Sequence, residues 1–200
     1  FPTRRSSDLS TQLVVSCINE FNLPREALHT THLNSVAVWH ALLFAPTTDG
    51  TLKVSMPITA LIRNLGVMTS RGLFDTFSVV ETVSNHLMNA DVLKRGRVHP
   101  VTILNALLTY KRGKGLKGSL TWNIKPDIVY ALEKAFYLAF GTVPPTGARI
   151  FHAFDVSGSM QSATCAGCDQ LSSNQACAVL AMVSARVENP ATQRYFMFAG

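Results

Sequence analysis

Arg149-Ile-Phe-His-Ala-Phe-Asp155-Val-Ser157-Gly-Ser159-Met160 runs largely apolar and then breaks into one acid and two hydroxyls at alternate positions. A buried strand that delivers oxygen ligands to a hard cation at its end has this form. Asp155, Ser157 and Ser159 offer neither sulfur nor imidazole, so as metal ligands they favour Mg²⁺ or a similar divalent cation. Neutral hydroxyls leave such an ion electron-poor, and it would still need a carboxylate or phosphate from a partner. A polar turn that caps a helix uses the same residue types. Spacing alone leaves cation site and cap both open.

Working outward from this strand, residues 161–169 read as loop. Ala176, Val179, Leu180, Val183 and Val187 then fall on one helix face that Ser172 or Ser173 can cap. Asn189-Pro190 turns the chain, and residues 195–199 read as a second strand. Strand, helix and strand in this order begin an α/β layer with parallel strands. On the upstream side, Thr142-Val-Pro-Pro-Thr-Gly147 is a stiff, Pro-rich linker. It separates a helical segment, 10–141, from an α/β segment, 149–200, with 142–148 between them.

The helical segment shows apolar side chains three and four apart, interrupted by turn residues. Leu13, Val14, Cys17, Ile18 and Phe21 make the first face, ended by Asn22 and Pro24. Val36, Trp39, Leu42 and Leu43 make a second behind Ser35. Residues 47–55 read as a polar loop with an Asp49-Gly50 turn. Ile58, Leu61, Ile62 and Leu65 line a third helix, for which Gly66 is the expected left-handed stop. Phe77, Val80, Ser84, Leu87 and Met88 form a fourth. Val101, Leu104, Leu107 and Leu108 form a fifth after Pro100. Ile128, Ala131, Leu132, Ala135, Phe136 and Ala139 give the clearest period of the chain. Helices of this length on short loops suggest hairpins stacked into an array. Residues 1–9 lack any period and read like a translated sequencing adapter, so Ser10 is the expected first genuine residue and the chain an expected fragment.

With 200 residues and 47% hydrophobic content the chain can bury a sizeable core. No apolar run approaches the ~20 residues that span a bilayer, and the N-terminus lacks the short apolar core of a secretory signal, so cytoplasmic is the expectation, with no membrane partner. The net charge of +6 is local. Residues 92–126 hold Lys94, Arg95, Arg97, Lys111, Arg112, Lys114, Lys117 and Lys125 and no Asp or Glu, which leaves ten basic residues against 12 acids elsewhere. Such a block points to a polyanion, because phosphate contacts release counterions without reading bases. Its ordinary alternative is a solvated helical surface.

Phe-Asp155-Val-Ser157-Gly-Ser159-Met resembles the adhesion-site loop of von Willebrand factor A domains. Upstream, Pro57-Ile-Thr-Ala-Leu-Ile-Arg-Asn-Leu-Gly66, Arg97-Val-His-Pro100, Leu107-Leu-Thr-Tyr-Lys111 and Phe136, Tyr137 and Phe140 before the linker resemble the Ro ribonucleoprotein autoantigen (TROVE-domain) family. The resemblance implies a HEAT-like helical-repeat ring followed by a partial α/β von Willebrand A domain of Rossmann-like form. It implies a monomeric, non-enzymatic RNA-binding protein of RNA quality control. Such a protein takes small Y-like RNA on its outer face and single-stranded ends of misfolded noncoding RNA in its hole. The metal loop then becomes a site for a protein partner, and a metal-dependent interaction module is the alternative function. Against the family pattern, the front half of the ring is expected to be missing, residues 47–55 look inserted, and the Thr and Asp that complete the metal shell lie beyond the chain.

The remaining candidates have plainer readings. His99 beside Pro100 suits a helix start. Trp122 and Tyr110 can stack on bases, yet aromatics in a helical array usually fill its core. Cys165, Cys168 and Cys177 lack a fourth ligand at zinc spacing and read as free thiols in a loop. No Ser, His and acid arrangement marks a hydrolytic site.

Overall fold

The computed structural model describes residues 4–116, 118–165 and 168–199. Helix α1 (Arg4–Phe21) begins within the stretch expected to lack regular structure. It ends at Asn22, whose φ of 49° supplies the left-handed turn. Ile18 is buried and Val14 packs beside it, whereas Leu13 and Phe21 of the expected face stand 65% and 64% exposed. Helix α2 (Val36–Leu43) is its main neighbour, so α1 buries only a narrow stripe. Trp39 is fully buried in α2 and donates its Nε1–H to Leu33 O at 2.8 Å.

The polar loop that follows is a small antiparallel hairpin of β1 (Phe44–Ala45) and β2 (Lys53–Val54). Thr51 donates its N–H and hydroxyl to Asp49 Oδ1, which tightens the Asp49-Gly50 turn. Helix α3 (Ile58–Ser70) then passes straight through Gly66. The glycine does not stop the helix; it makes room for a ring, because a β-carbon there would lie 2.7 Å from Trp122. The left-handed glycine is Gly72, at φ 79°.

Helices α4 (Phe77–Leu87), α5 (Ala90–Arg95), α6 (Pro100–Lys111) and α7 (Pro126–Leu138) complete the array. Phe77 opens α4 on its outer side and is exposed, contrary to its expected place in the face. In α6 the buried residues are Pro100, Ile103, Leu107 and Tyr110, a stripe rotated from the expected one. That helix is apolar on several sides, so spacing does not select one. The expected face of α7 is buried throughout, with α4 and α6 packed against it.

Strands β3 (Ile150–Asp155) and β6 (Gln193–Phe198) pair in parallel, His152 beside Tyr195. Helix α9 (Ser173–Val187) makes the crossover between them, as a parallel pair requires. Ser172 takes the cap position and donates its N–H to Gln175 Oε1 at 3.0 Å. Leu180 of the expected α9 face is exposed, while Val183 is buried in the core of the helical segment. Residues expected as loop instead form α8 (Ser159–Ser162) and the antiparallel pair β4 (Thr164–Cys165) and β5 (Cys168–Ser172). Residues 166 and 167 lie outside the described residues.

Side chains tie the two segments together. Gln170 donates to Thr109 Oγ1 at 2.6 Å. The Arg186 guanidinium lies 5.3 Å from the Phe140 ring and 5.5 Å from that of Tyr137. Glu188, just past α9, accepts the N–H groups of Thr146 at 2.8 Å and Gly147 at 3.3 Å. Two otherwise orphaned donors of the Pro-rich linker are thereby satisfied. The Thr146 N–H above all holds the Glu188 carboxyl below its usual range.

Candidate nucleic-acid interface

The basic residues divide into two groups at opposite ends of α6. Lys94 and Arg95 occupy the last turn of α5, where cations offset the helix dipole, and Arg97 follows them before α6 begins. Lys111 closes α6, Arg112 caps it, and Lys114 stands just beyond. Twelve residues of helix, about 18 Å, separate the groups. All six side chains are exposed. Lys117, the seventh expected contact, lies outside the described residues.

The acid-free character of this stretch in sequence is only partly kept in space. Lys111 meets Glu133 of α7 at 2.5 Å, both side chains being nearly half exposed, and Lys125 meets Asp75 at 2.8 Å. Exposed pairs of this kind contribute about 0–1 kcal/mol and exchange partners readily. They lower the local field without removing the cations. Lys94, Arg95, Arg97, Arg112 and Lys114 make no ion pair among the described residues.

Arg97 is held at φ 49°, a conformation that disfavours a side chain. The cause lies one residue earlier. Gly96 has ordinary φ, but a β-carbon on it would meet the Ile58 methyl at 2.3 Å. The small residue is needed for packing at 96, so the left-handed turn falls to Arg97, which points its cation outward from the end of α5.

Between α6 and α7 the chain makes a hairpin. Trp122 N–H donates to Gly113 O at 3.0 Å, Gly115 N–H to Leu120 O at 2.9 Å, and Lys114 bridges Thr121. Trp122 seals its base and stacks against Tyr110 with ring centres 6.0 Å apart, donating its indole N–H to Tyr110 O at 3.1 Å. Tyr110 is 2% exposed and its hydroxyl lies 2.9 Å from Thr69 Oγ1. Burial raises the Tyr110 pKa. These two aromatics are structural, and Tyr110 presents no face to a base. His99 likewise starts a helix: Val101 N–H donates to its Nδ1 at 3.2 Å, and burial lowers its pKa.

At the end of β3, Ser157 N–H donates to Asp155 Oδ1 at 2.8 Å, and the Ser157 and Ser159 hydroxyls stand 3.0 Å apart. The Ser157 N–H holds the Asp155 carboxyl below its usual range, so it is ionised at neutral pH. The three oxygen groups therefore share one turn. Sequence reasoning missed a second polar cluster. His152 Nε2 lies 2.8 Å from Ser184 Oγ and 2.9 Å from Gln193 Oε1, joining β3, α9 and β6. Its third member is an amide, not an acid, and one ring nitrogen serves both contacts. It locks strands to helix.

Residues 22–108, covering α2 to most of α6, match the TROVE domain family. That match covers just under half of the chain. Beyond the TROVE segment the likeness continues. The chain is 44% identical over 156 residues to the RNA-binding protein RO60 of Caenorhabditis elegans, covering 78% of this chain and 23% of that protein. It is 39% identical over 173 residues to the RNA-binding protein RO60 of Deinococcus radiodurans, covering 86% and 30%. The solved structure of the D. radiodurans RO (RSR) protein superposes on 94% of this chain and 36% of its own, with a TM-score of 0.78 and 34% identity. The chain thus spans less than a third of these two relatives and about a third of the solved chain. No helix among the described residues is long and apolar enough to cross a membrane.

Proposed function

We propose that this chain is part of an RNA-binding protein of the Ro type. In this reading it holds small Y-like noncoding RNA and single-stranded ends of misfolded RNA, in RNA quality control, as a non-enzymatic cytoplasmic monomer. The helices are then repeats of a HEAT-like ring and the α/β segment the start of a von Willebrand A domain. The observation that carries the proposal is the pair of exposed cationic groups flanking α6, five of whose members have no acidic partner among the described residues. That likeness to RNA-binding relatives supports a polyanion as what they meet. A filter-binding titration over salt tests it. RNA affinity should fall steeply with salt, and neutralising Lys94, Arg95 and Arg97 together should lower the log–log slope by about 0.7–0.9 per cation removed. Salt-independent binding would overturn it.

A second reading rests on the turn after β3. Asp155, Ser157 and Ser159 form an oxygen-only donor set that fits Mg²⁺ or a similar hard cation, and the carboxylate is already ionised. These residues would hold the ion, and the ion would supply an electron-poor position for an anionic oxygen of a protein partner. Three donors are fewer than such a cation takes, so calorimetry should find weak Mg²⁺ uptake. Pull-down of a protein that is lost on chelation and in Asp155→Ala, with RNA irrelevant, would favour this interaction module over the RNA reading.

A further inference from the structure

A cavity of about 370 Å³ opens between the turns that join α1 to α2 and the C-terminal end of α3. Its chemistry is unlike that of the α6 flanks. Arg71 reaches it from the cap of α3, with its Nε fully buried and without a hydrogen-bond partner. No ion pair to Arg71 is made by any described residue. Arg25 enters the same cavity, held over the Trp39 ring at 6.0 Å. Its one ion-pair partner among the described residues, Glu26, is 3.9 Å away and largely in solvent. Thr30, Thr31 and Asn34 add polar groups to the wall, and no Asp or Glu among the described residues lines it.

Two arginines thus line one cavity that no acid among the described residues enters, and a buried donor left unmet costs about 1–3 kcal/mol. The α3 C-terminus helps by placing partial negative charge near Arg71, but helix carbonyls do not satisfy Nε here. A planar donor fork matched to tetrahedral oxygens is what such an arrangement lacks a partner for. We propose that this cavity is an anion site that takes a phosphoryl group on Arg71 and Arg25. The volume exceeds that of a lone phosphate, which leaves room for an attached sugar. The site is separate from the α6 flanks and does not depend on them.

The test follows thermal unfolding of the full chain in sodium phosphate against sodium chloride at matched ionic strength. Phosphate should raise the melting temperature more than chloride does. Arg71→Met should raise the half-saturating phosphate concentration by roughly tenfold or more. Arg25→Gln, at a more exposed position, should act in the same direction if Arg71→Met folds poorly. A 5′-phosphorylated and a 5′-hydroxyl oligoribonucleotide of one sequence then separate the sources. Selective weakening of the phosphorylated one by Arg71→Met indicates a terminal phosphate, and equal weakening indicates an internal phosphodiester. Weakening of neither, with the phosphate shift kept in the unsubstituted chain, indicates free phosphate or a small phosphate ester. The same half-saturation in both variants and the parent, or no phosphate-specific shift at all, overturns the site. The phosphate arm contains no RNA, so failure of the RNA reading would leave its result standing.

Discussion

Trp122 packs its six-membered ring over Gly66, with three ring atoms within 3.0 Å of where a β-carbon would sit. Gly to Ala inside a helix ordinarily stabilises by about 1 kcal/mol. Here the overpacking term of about 1–3 kcal/mol opposes it, because the neighbour is a ring wedged between α3 and α6. Gly66→Ala should lower stability in urea melts. Pairing it with Trp122→Leu should recover part of the loss, a coupling that a propensity effect alone would not produce.

The buried hydroxyl of Tyr110 links α6 to α3 and to the start of α7. Thr69 donates to Leu65 O at 2.7 Å, so its oxygen is free to accept from Tyr110, whose own oxygen receives Lys125 N–H at 3.4 Å. Tyr110→Phe should cost about 1–2 kcal/mol in denaturant melts. Ultraviolet titration should find one tyrosine ionising above the usual value, absent in the variant.

Glu188 gives the linker a pH dependence. Its folded-state pKa is depressed by the Thr146 and Gly147 N–H groups, so its contribution is present above the unfolded value and lost as pH falls through the folded one. Glu188→Gln should therefore destabilise at about pH 7, and the gap to the parent should narrow as the pH falls below the ordinary carboxylate range. A gap that stayed constant across this range would mean that charge is not what holds the linker.

Arg97 should separate stability from binding. Replacing a non-glycine at positive φ by glycine relieves about 1 kcal/mol of strain. Arg97→Gly is expected to raise the melting temperature while weakening RNA binding at low salt. Loss of both, or gain of both, would show that the strain is not linked to a binding cation.

How legible the chain is depends on the range of the interaction. The α7 face and the β3, α9, β6 order were readable because they are periodic and local, and Val183 and Trp39 fall where spacing puts them. Gly66 misleads because its partner lies 56 positions away, and Lys111 looks unpaired until α7 brings Glu133 across. Leu13 and Phe21 satisfy the helical period, but α1 has too few neighbours to cover them. That Asp155, Ser157 and Ser159 come together was visible in sequence because all three lie on one turn. Arg25 and Arg71 were not, since only the fold joins the turn before α2 to the end of α3.

The cross-bridged hairpin after α6 bears on how a strand would be met. Ordering a loose loop against a polyanion costs about 1–2 kcal/mol of backbone entropy per residue. The Gly113–Trp122 and Gly115–Leu120 rungs are already closed, and Trp122 anchors them to α3. Lys114 is therefore carried between rungs that are closed before any encounter. Capture at this end of α6 should be governed by diffusion and charge rather than by folding upon contact, with only a small heat-capacity change.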